Sequence, residues 1–179
     1  FVFNAGRVRF DARLAEGSDP LQEDLTWRIL APEKDFSGNR QEIAGWRRQK
    51  SGAIHLIPAG KWRVQGSLTD AGYISTSKDI LVEPGGEEIH DFVFNAGRVR
   101  FDARLSEGGE FFDGDLGWRI VSAKADLAGN RKELARFRRV KSGRVLLIPA
   151  GEWLVHGDFV DYGHVRAEQE LALSPGDEN

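Results

Sequence analysis

The sequence predicts an all-β protein made of two tandem Ig-like or prealbumin-like β-sandwich modules, about seven strands each. Three observations predict it. An internal repeat with an offset of 91 residues runs through the chain. Within each copy, apolar and polar residues alternate with a period of two. Turn-forming residues then interrupt these runs about every eight to twelve residues, as in sandwiches.

The repeat is direct. Phe1-Val2-Phe3-Asn4-Ala5-Gly6-Arg7-Val8-Arg9-Phe10-Asp11-Ala12-Arg13-Leu14 recurs unchanged from Phe92 to Leu105. The same offset carries Trp27 onto Trp118, Lys50-Ser51-Gly52 onto Lys141-Ser142-Gly143, Trp62 onto Trp153 and Pro84-Gly85 onto Pro175-Gly176, with no gap. The copies also report on each other. Ile54/Val145, Ile74/Val165, Ile80/Leu171 and Trp46/Phe137 keep apolar character while changing shape, which core positions tolerate. Ser18/Gly109, Gln22/Asp113, Lys61/Glu152 and Thr76/Ala167 drift in polarity and are expected at the surface.

The elements follow in order. Val8, Phe10, Ala12 and Leu14 share one face of a first strand, and Arg7, Arg9, Asp11 and Arg13 the other. Leu25–Ile29, Ala53–Leu56, Trp62–Leu68, Ile80–Val82 and Ile89–Phe94 continue the pattern. Weaker strands are expected over Ile43–Arg48 and Gly72–Ser75. A short helix over Asn39–Arg48 is the alternative for the former, because Ile43 and Trp46 lie three apart. Ser37-Gly38-Asn39, Lys50-Ser51-Gly52, Pro58-Ala59-Gly60 and Pro84-Gly85-Gly86 supply the turns.

The repeat divides the chain into 1–91 and 92–179, with the structural boundary near 95–97. Glu87 to Asn95 is expected as a closing strand of the first module, with Ala96-Gly97 opening the next. Alternatively, Phe92 to Leu105 forms one long bent strand. On the first reading, Phe1 to Asn4 are expected to be the closing strand of a preceding module. The second copy then lacks its own, which exposes a sheet edge. That edge is open to another protein or to Phe1-Val2-Phe3-Asn4 of a neighbouring molecule. The linker between the modules is short, so neighbouring repeats are expected as the primary partners.

Composition narrows function. The 179 residues carry a net charge of −3, which offers no basic field for nucleic acid. No apolar run is long enough for a helical membrane span. There is no cysteine, so neither disulfides nor thiolate chemistry are available. There is no methionine either, and the chain opens inside a strand-like motif, as expected of a fragment of something longer.

The residues suited to chemistry are few. His55, His90, His156 and His164 are isolated, with no zinc-site spacing, and the repeat places Leu146 opposite His55. No nucleophile-elbow or phosphate-loop pattern surrounds Ser51 or Ser142. Acidic residues precede Trp27 and Trp118 in both copies. Among them Asp19, Glu23, Asp24, Asp113 and Asp115 are candidate calcium ligands, although their spacing matches no EF-hand. A basic-aromatic cluster recurs as Trp46-Arg47-Arg48 and Phe137-Arg138-Arg139. Its arginines Arg47, Arg48, Arg138 and Arg139 are candidates for interaction, against the plainer expectation of a charged strand face paired with the acidic loops. Trp27, Trp62, Trp118 and Trp153 suit core packing better than a sugar platform, because they occupy repeated positions on alternating strands. No catalytic residue and no cofactor are expected.

Leu56-Ile57-Pro58-Ala59-Gly60-Lys61-Trp62-Arg63-Val64 and its counterpart Leu147–Val155 resemble the LPAG-x-Y-x-V signature of carboxypeptidase-regulatory-like and Cna-B-like domains. Tryptophan stands here in place of the usual tyrosine. Phe94-Asn95-Ala96-Gly97-Arg98-Val99 resembles the junction of repeats in some bacterial von Willebrand factor A proteins. The resemblance implies prealbumin-type sandwiches in an exported bacterial protein, periplasmic or at the cell surface. It implies no catalytic residue. The expectation is a non-catalytic structural or interaction module, a spacer or protein-binding element. A carbohydrate- or calcium-binding module and an enzyme accessory domain are the alternatives.

Overall fold

The computed structural model of the chain describes residues 1–160 and 165–178. Its regular elements are all strands, and it divides into two compact units, Phe1–Phe94 and Asn95–Asn179. Unit 1 contains β1 (Ala5–Arg13), β2 (Leu25–Leu30), β3 (Glu42–Gln49), β4 (Ala53–Pro58), β5 (Gly60–Leu68), β6 (Ser75–Val82) and β7 (Glu87–Val93). Unit 2 contains β8 (Ala96–Phe101), β9 (Leu116–Ala125), β10 (Arg131–Val140), β11 (Arg144–Pro149), β12 (Gly151–Phe159) and β13 (Arg166–Leu173).

In unit 1 a three-stranded sheet, β4-β1-β7, accompanies a four-stranded sheet, β3-β2-β5-β6. β1 is the centre of the smaller sheet, antiparallel to β4 and parallel to β7. Its alternation works as the sequence predicts: Val8, Phe10, Ala12 and Leu14 are buried, and the intervening arginines face out. From the other sheet, Trp27, Ile29, Val64 and Leu68 are likewise buried. Each such large apolar side chain contributes about 1.5–3 kcal/mol when fully enclosed. Phe92 completes this core. Its ring centroid lies 4.8 Å from that of Trp27 and 5.5 Å from that of Phe10, and Phe94 sits 6.4 Å from Trp27 on the same side. Phe92 and Phe94 therefore belong physically to unit 1, which is why the contacts divide after Phe94.

The segment Ile43–Arg48 is strand, within β3, rather than helix. A hairpin turn precedes it, in which the Asp35 carboxylate accepts the backbone N–H groups of Ser37 and Asn39. Three details depart from the sequence reading. Gly72–Ser75 is not a strand of its own: Ile74 tucks into the core and β6 begins at Ser75. Phe92–Leu105 is not one bent strand, because Asn95 takes a left-handed φ of 49° between β7 and β8. Ile54 and Val145 are not core residues; they are 67% and 52% exposed. The reason is register. Ile54 pairs with Arg9 and His55 with Val8, so the pleat points Ile54 outward and His55 inward.

Among the described residues, His55 is the one histidine placed in a core. It is stacked between Trp46, at 4.1 Å, and Phe10, at 5.4 Å, and its Nε2 has no hydrogen-bond partner. Burial lowers its pKa, so it folds neutral. Copy two holds buried Leu146 at this place. His55→Leu is therefore expected to stabilise unit 1 by about 1 kcal/mol, by removing an orphan polar atom. The gap between variant and parent should widen as pH falls below about 6.5, because the unfolded chain then binds a proton that the folded state refuses. Urea denaturation at pH 8 and pH 5 measures both effects; an equal gap at the two values would contradict the assignment.

Candidate functional site

The polar residues that recur between copies are used inside each unit. Arg28 Nε donates to Glu42 at 2.6 Å, and Arg119 Nε to Glu133 at 2.6 Å. The hydrogen bonds from Arg119 and then Arg136 hold the Glu133 carboxyl below its usual range. Ser51 Oγ accepts the backbone N–H of Ala12 at 2.8 Å, and Ser142 Oγ that of Ala103 at 2.9 Å. These hydroxyls tie a turn to the first strand, a task that needs no neighbouring base.

The acidic loops are held by lysine. Lys50 Nζ lies 2.8 Å from Asp24 and donates to the Gln22 carbonyl at 2.6 Å. Lys141 repeats this with Asp115 at 3.7 Å and Asp113 at 3.8 Å, and also donates to the Asp113 carbonyl. An ammonium group thus stands beside the carboxylates Asp24, Asp113 and Asp115. Asp19 is exposed and Glu23 half-buried in the same loop. Among the described residues no group of three or more His, Cys, Asp and Glu is placed to hold a metal ion. His90 pairs with Glu88 and His156 with Glu168, each at 3.0 Å. His164 lies outside the described residues.

Arg47, Arg48, Arg138 and Arg139 are all exposed, and the structure shows what their segment does. β3 and β10 are edge strands, and the pairing register of each slips at this point, between Leu25 and Trp27 and between Val140 and Phe137. Arg48 and Arg139 carry φ values of 54° and 55°. A β-bulge armed with two cations twists an edge away from further pairing. Trp46 and Phe137 beside them are half-buried.

Trp27 and Trp118 are buried, while Trp62 and Trp153 are half-buried. The last two clamp the Pro-Ala-Gly turns: their indole N–H groups donate to the Pro58 and Pro149 carbonyls at 2.7 and 2.8 Å. Gly60 and Gly151 pass beneath those rings with φ of 141° and 145°. A feature that the sequence reading did not single out is the glycine opposite each core tryptophan. Gly66 pairs with Trp27 and Gly157 with Trp118. A glycine within a strand pattern, repeated in both copies, is the signal that marks such a close approach.

The units differ most beside β8. β1 is paired on both edges, whereas β8 is paired with β11 and on its other edge meets residues 176–178, through the bridge Arg98–Glu178 and the Gly176 N–H, which donates to the Ala96 carbonyl at 2.8 Å. That bridge repeats the first parallel pair of unit 1, Arg7 with Glu87. Past it, where Phe92 lies in unit 1, unit 2 has an open groove of about 370 Å³ whose lining includes Phe101, Ala103, Leu105, Trp118, Phe159 and Val165. Exposure follows the gap. Leu14 is 4% exposed but Leu105 76%, and Ile74 is 1% exposed but Val165 43%.

No protein-family model matches the chain, and no curated protein does. Among solved structures, the chain is similar to the Bacillus anthracis TIE protein at 14% identity and a TM-score of 0.37, covering 96% of this chain and 32% of that one. It is similar to a candidate cell adhesion protein from Bacteroides ovatus at 6% identity and a TM-score of 0.46, covering 98% and 88%. A candidate adhesin from the same organism gives 9% identity and a TM-score of 0.40, covering 96% and 83%.

Proposed function

We propose that the chain is a pair of non-catalytic structural and interaction modules, a spacer or protein-binding element of a larger exported bacterial protein at the periplasm or cell surface. One observation carries this reading. The polar residues common to both units close turns, cross-brace strands or guard edges, and so their chemistry is spent on the fold. Acid–base or nucleophilic work needs convergent groups aimed at a shared point, and the described side chains that recur are aimed at their own backbone or at an opposite charge. The resemblance of the Pro-Ala-Gly segments to carboxypeptidase-regulatory-like and Cna-B-like domains supports the exported setting.

A spacer must bear load one module at a time. Stretched between handle domains in single-molecule force spectroscopy, the chain is expected to unfold in two steps. Each step should release roughly 300 Å of contour, the extended length of about ninety residues, and both units should refold when the force is released. One cooperative step, or a unit that yields without measurable resistance, would contradict the reading.

A further inference from the structure

The arginines that recur between the units divide into two groups. Arg7, Arg9, Arg13, Arg28 and Arg40, with their counterparts Arg98, Arg100, Arg104, Arg119 and Arg131, are each held by a carboxylate or a backbone carbonyl. Arg47, Arg48, Arg138 and Arg139 have no such partner among the described residues. They stand where the register slips. Between the pairs Trp27–Trp46 and Leu25–Gln49, Arg47 and Arg48 are opposite Thr26 alone, and Arg138 and Arg139 are opposite Gly117 in the same way. The second arginine of each pair has a φ of 54° or 55°, a left-handed angle that crowds a side chain. Elsewhere among the described residues this region is taken by glycine, and once by Asn95. An edge guard needs a charge, but not an arginine at this angle. The strained backbone at Arg48 and Arg139 therefore points to a task for the side chains.

Beside the bulge of β3 lies a crevice of about 520 Å³, whose lining includes Thr26, Arg28, Glu42, Gly45, Trp46 and Arg47. Gly45 keeps it open, since a Cβ there would lie 2.6 Å from Glu42 Oε1. Trp46 is fixed by stacking on His55 at 4.1 Å. In unit 2, Arg136 takes the position of Gly45 and donates to Glu133 at 3.0 Å, which adds a guanidinium there. We infer that the crevice and bulge of β3 bind a carboxylated sugar, one residue of an acidic polysaccharide, and that the bulge of β10 gives the same polymer a second cationic contact. The forks of Arg47 and Arg48 take the sugar carboxylate in charge-assisted hydrogen bonds. Glu42 and the Thr26 hydroxyl meet its hydroxyl groups, and the Trp46 ring meets its apolar face. This mixture of cation, acceptor and ring suits an anionic sugar better than other polyanions. Nucleic acid needs a continuous basic groove, and this chain carries a net charge of −3. An acidic peptide adding as a strand is opposed by the bulge. The inference rests on the reading of the chain as an interaction module, and it names the class of partner.

Titration of the whole chain with a short oligogalacturonate, followed by amide NMR, tests it. At about 0.15 M salt, where loose charge attraction is screened, a dissociation constant of about 0.1–1 mM is expected. The first shifts should appear at residues 45–49 and 136–140. The variant Arg47→Gln, Arg48→Gly, Arg138→Gln, Arg139→Gly is expected to bind at least about tenfold more weakly. It should melt no lower than the parent, because glycine relieves the left-handed angle. The pair Arg47→Gln, Arg138→Gln leaves both left-handed residues untouched and is expected to weaken binding at least about threefold. Unchanged affinity in these variants overturns the inference, as does a parent that shows no shifts at about 10 mM uronate. Equal affinity for polyglutamate or a DNA oligonucleotide also overturns it, by reducing the site to charge alone. None of these outcomes alters the two-step unfolding that tests the module reading itself.

Discussion

Replacing Trp27 by alanine is expected to cost unit 1 about 3–5 kcal/mol, the range for removing a large aromatic from a closed core. Trp27 is fully buried and is met by Phe10 at 4.9 Å, Phe92 at 4.8 Å and Phe94 at 6.4 Å. Those rings belong to β1 and to the closing segment, so they cannot follow the lost indole without breaking strand pairing. The cavity therefore persists, and its cost adds to the lost burial. Trp118→Ala is expected to cost less. Trp118 lines the open groove, with Phe101 beside it at 5.2 Å, so its removal enlarges a space that water already reaches. Its indole N–H, like that of Trp27, is buried without an acceptor, so neither substitution forfeits a hydrogen bond. Urea titration followed by amide NMR, which reads each unit separately, gives both values; equal costs would contradict the contrast.

Gly66→Ala is expected to destabilise unit 1 by about 1–3 kcal/mol through overpacking. A Cβ at Gly66 would lie 2.3 Å from Cζ3 of Trp27, closer than any real contact, and the indole is boxed in by the aromatic cluster. Gly157→Ala in unit 2 is expected to cost less, because the same approach to Trp118 is 2.7 Å and the groove gives that ring room to tilt. Neither glycine has a positive φ, so the effect is packing against the ring and not backbone strain. The same NMR-resolved titration decides it; a larger loss at Gly157 than at Gly66 would be inconsistent with a groove beside Trp118.

The two contrasts have one origin. Two nearly identical sequences fold into nearly identical frames, and the frames differ in whether a strand lies beside the first one. Leu14 and Leu105 share a sequence environment on their N-terminal side to the last residue, yet one is core and the other is surface. No local propensity separates them. The difference is the presence of β7 alongside β1.

Much of the rest was legible. Period-two alternation located β1, β2, β4, β5 and β7, because a strand with one wet face must alternate. Glycine and proline located the turns, since only certain residues accept their backbone angles: Gly38, Gly52, Gly85 and their counterparts all have positive φ. Ile54 misled because two apolar residues flank a histidine in β4. Hydrophobicity favours the isoleucine side as core, but the pairing of Val8 with His55 fixes the opposite face inward. The candidate residues divide in the same way. That Lys50 and Lys141 stand over the acidic loops, and that Arg48 and Arg139 form bulges, depends on register across strands far apart in the chain.

What the sequence by itself determined was the all-β class, the 91-residue repeat and the turns, because these rest on periodicity and on backbone angles that individual residues permit. What only the tertiary structure decided was which face of β4 is inside and which strand lies parallel to β1. Those are questions of pairing between segments, and pairing is settled by which surfaces can be buried together.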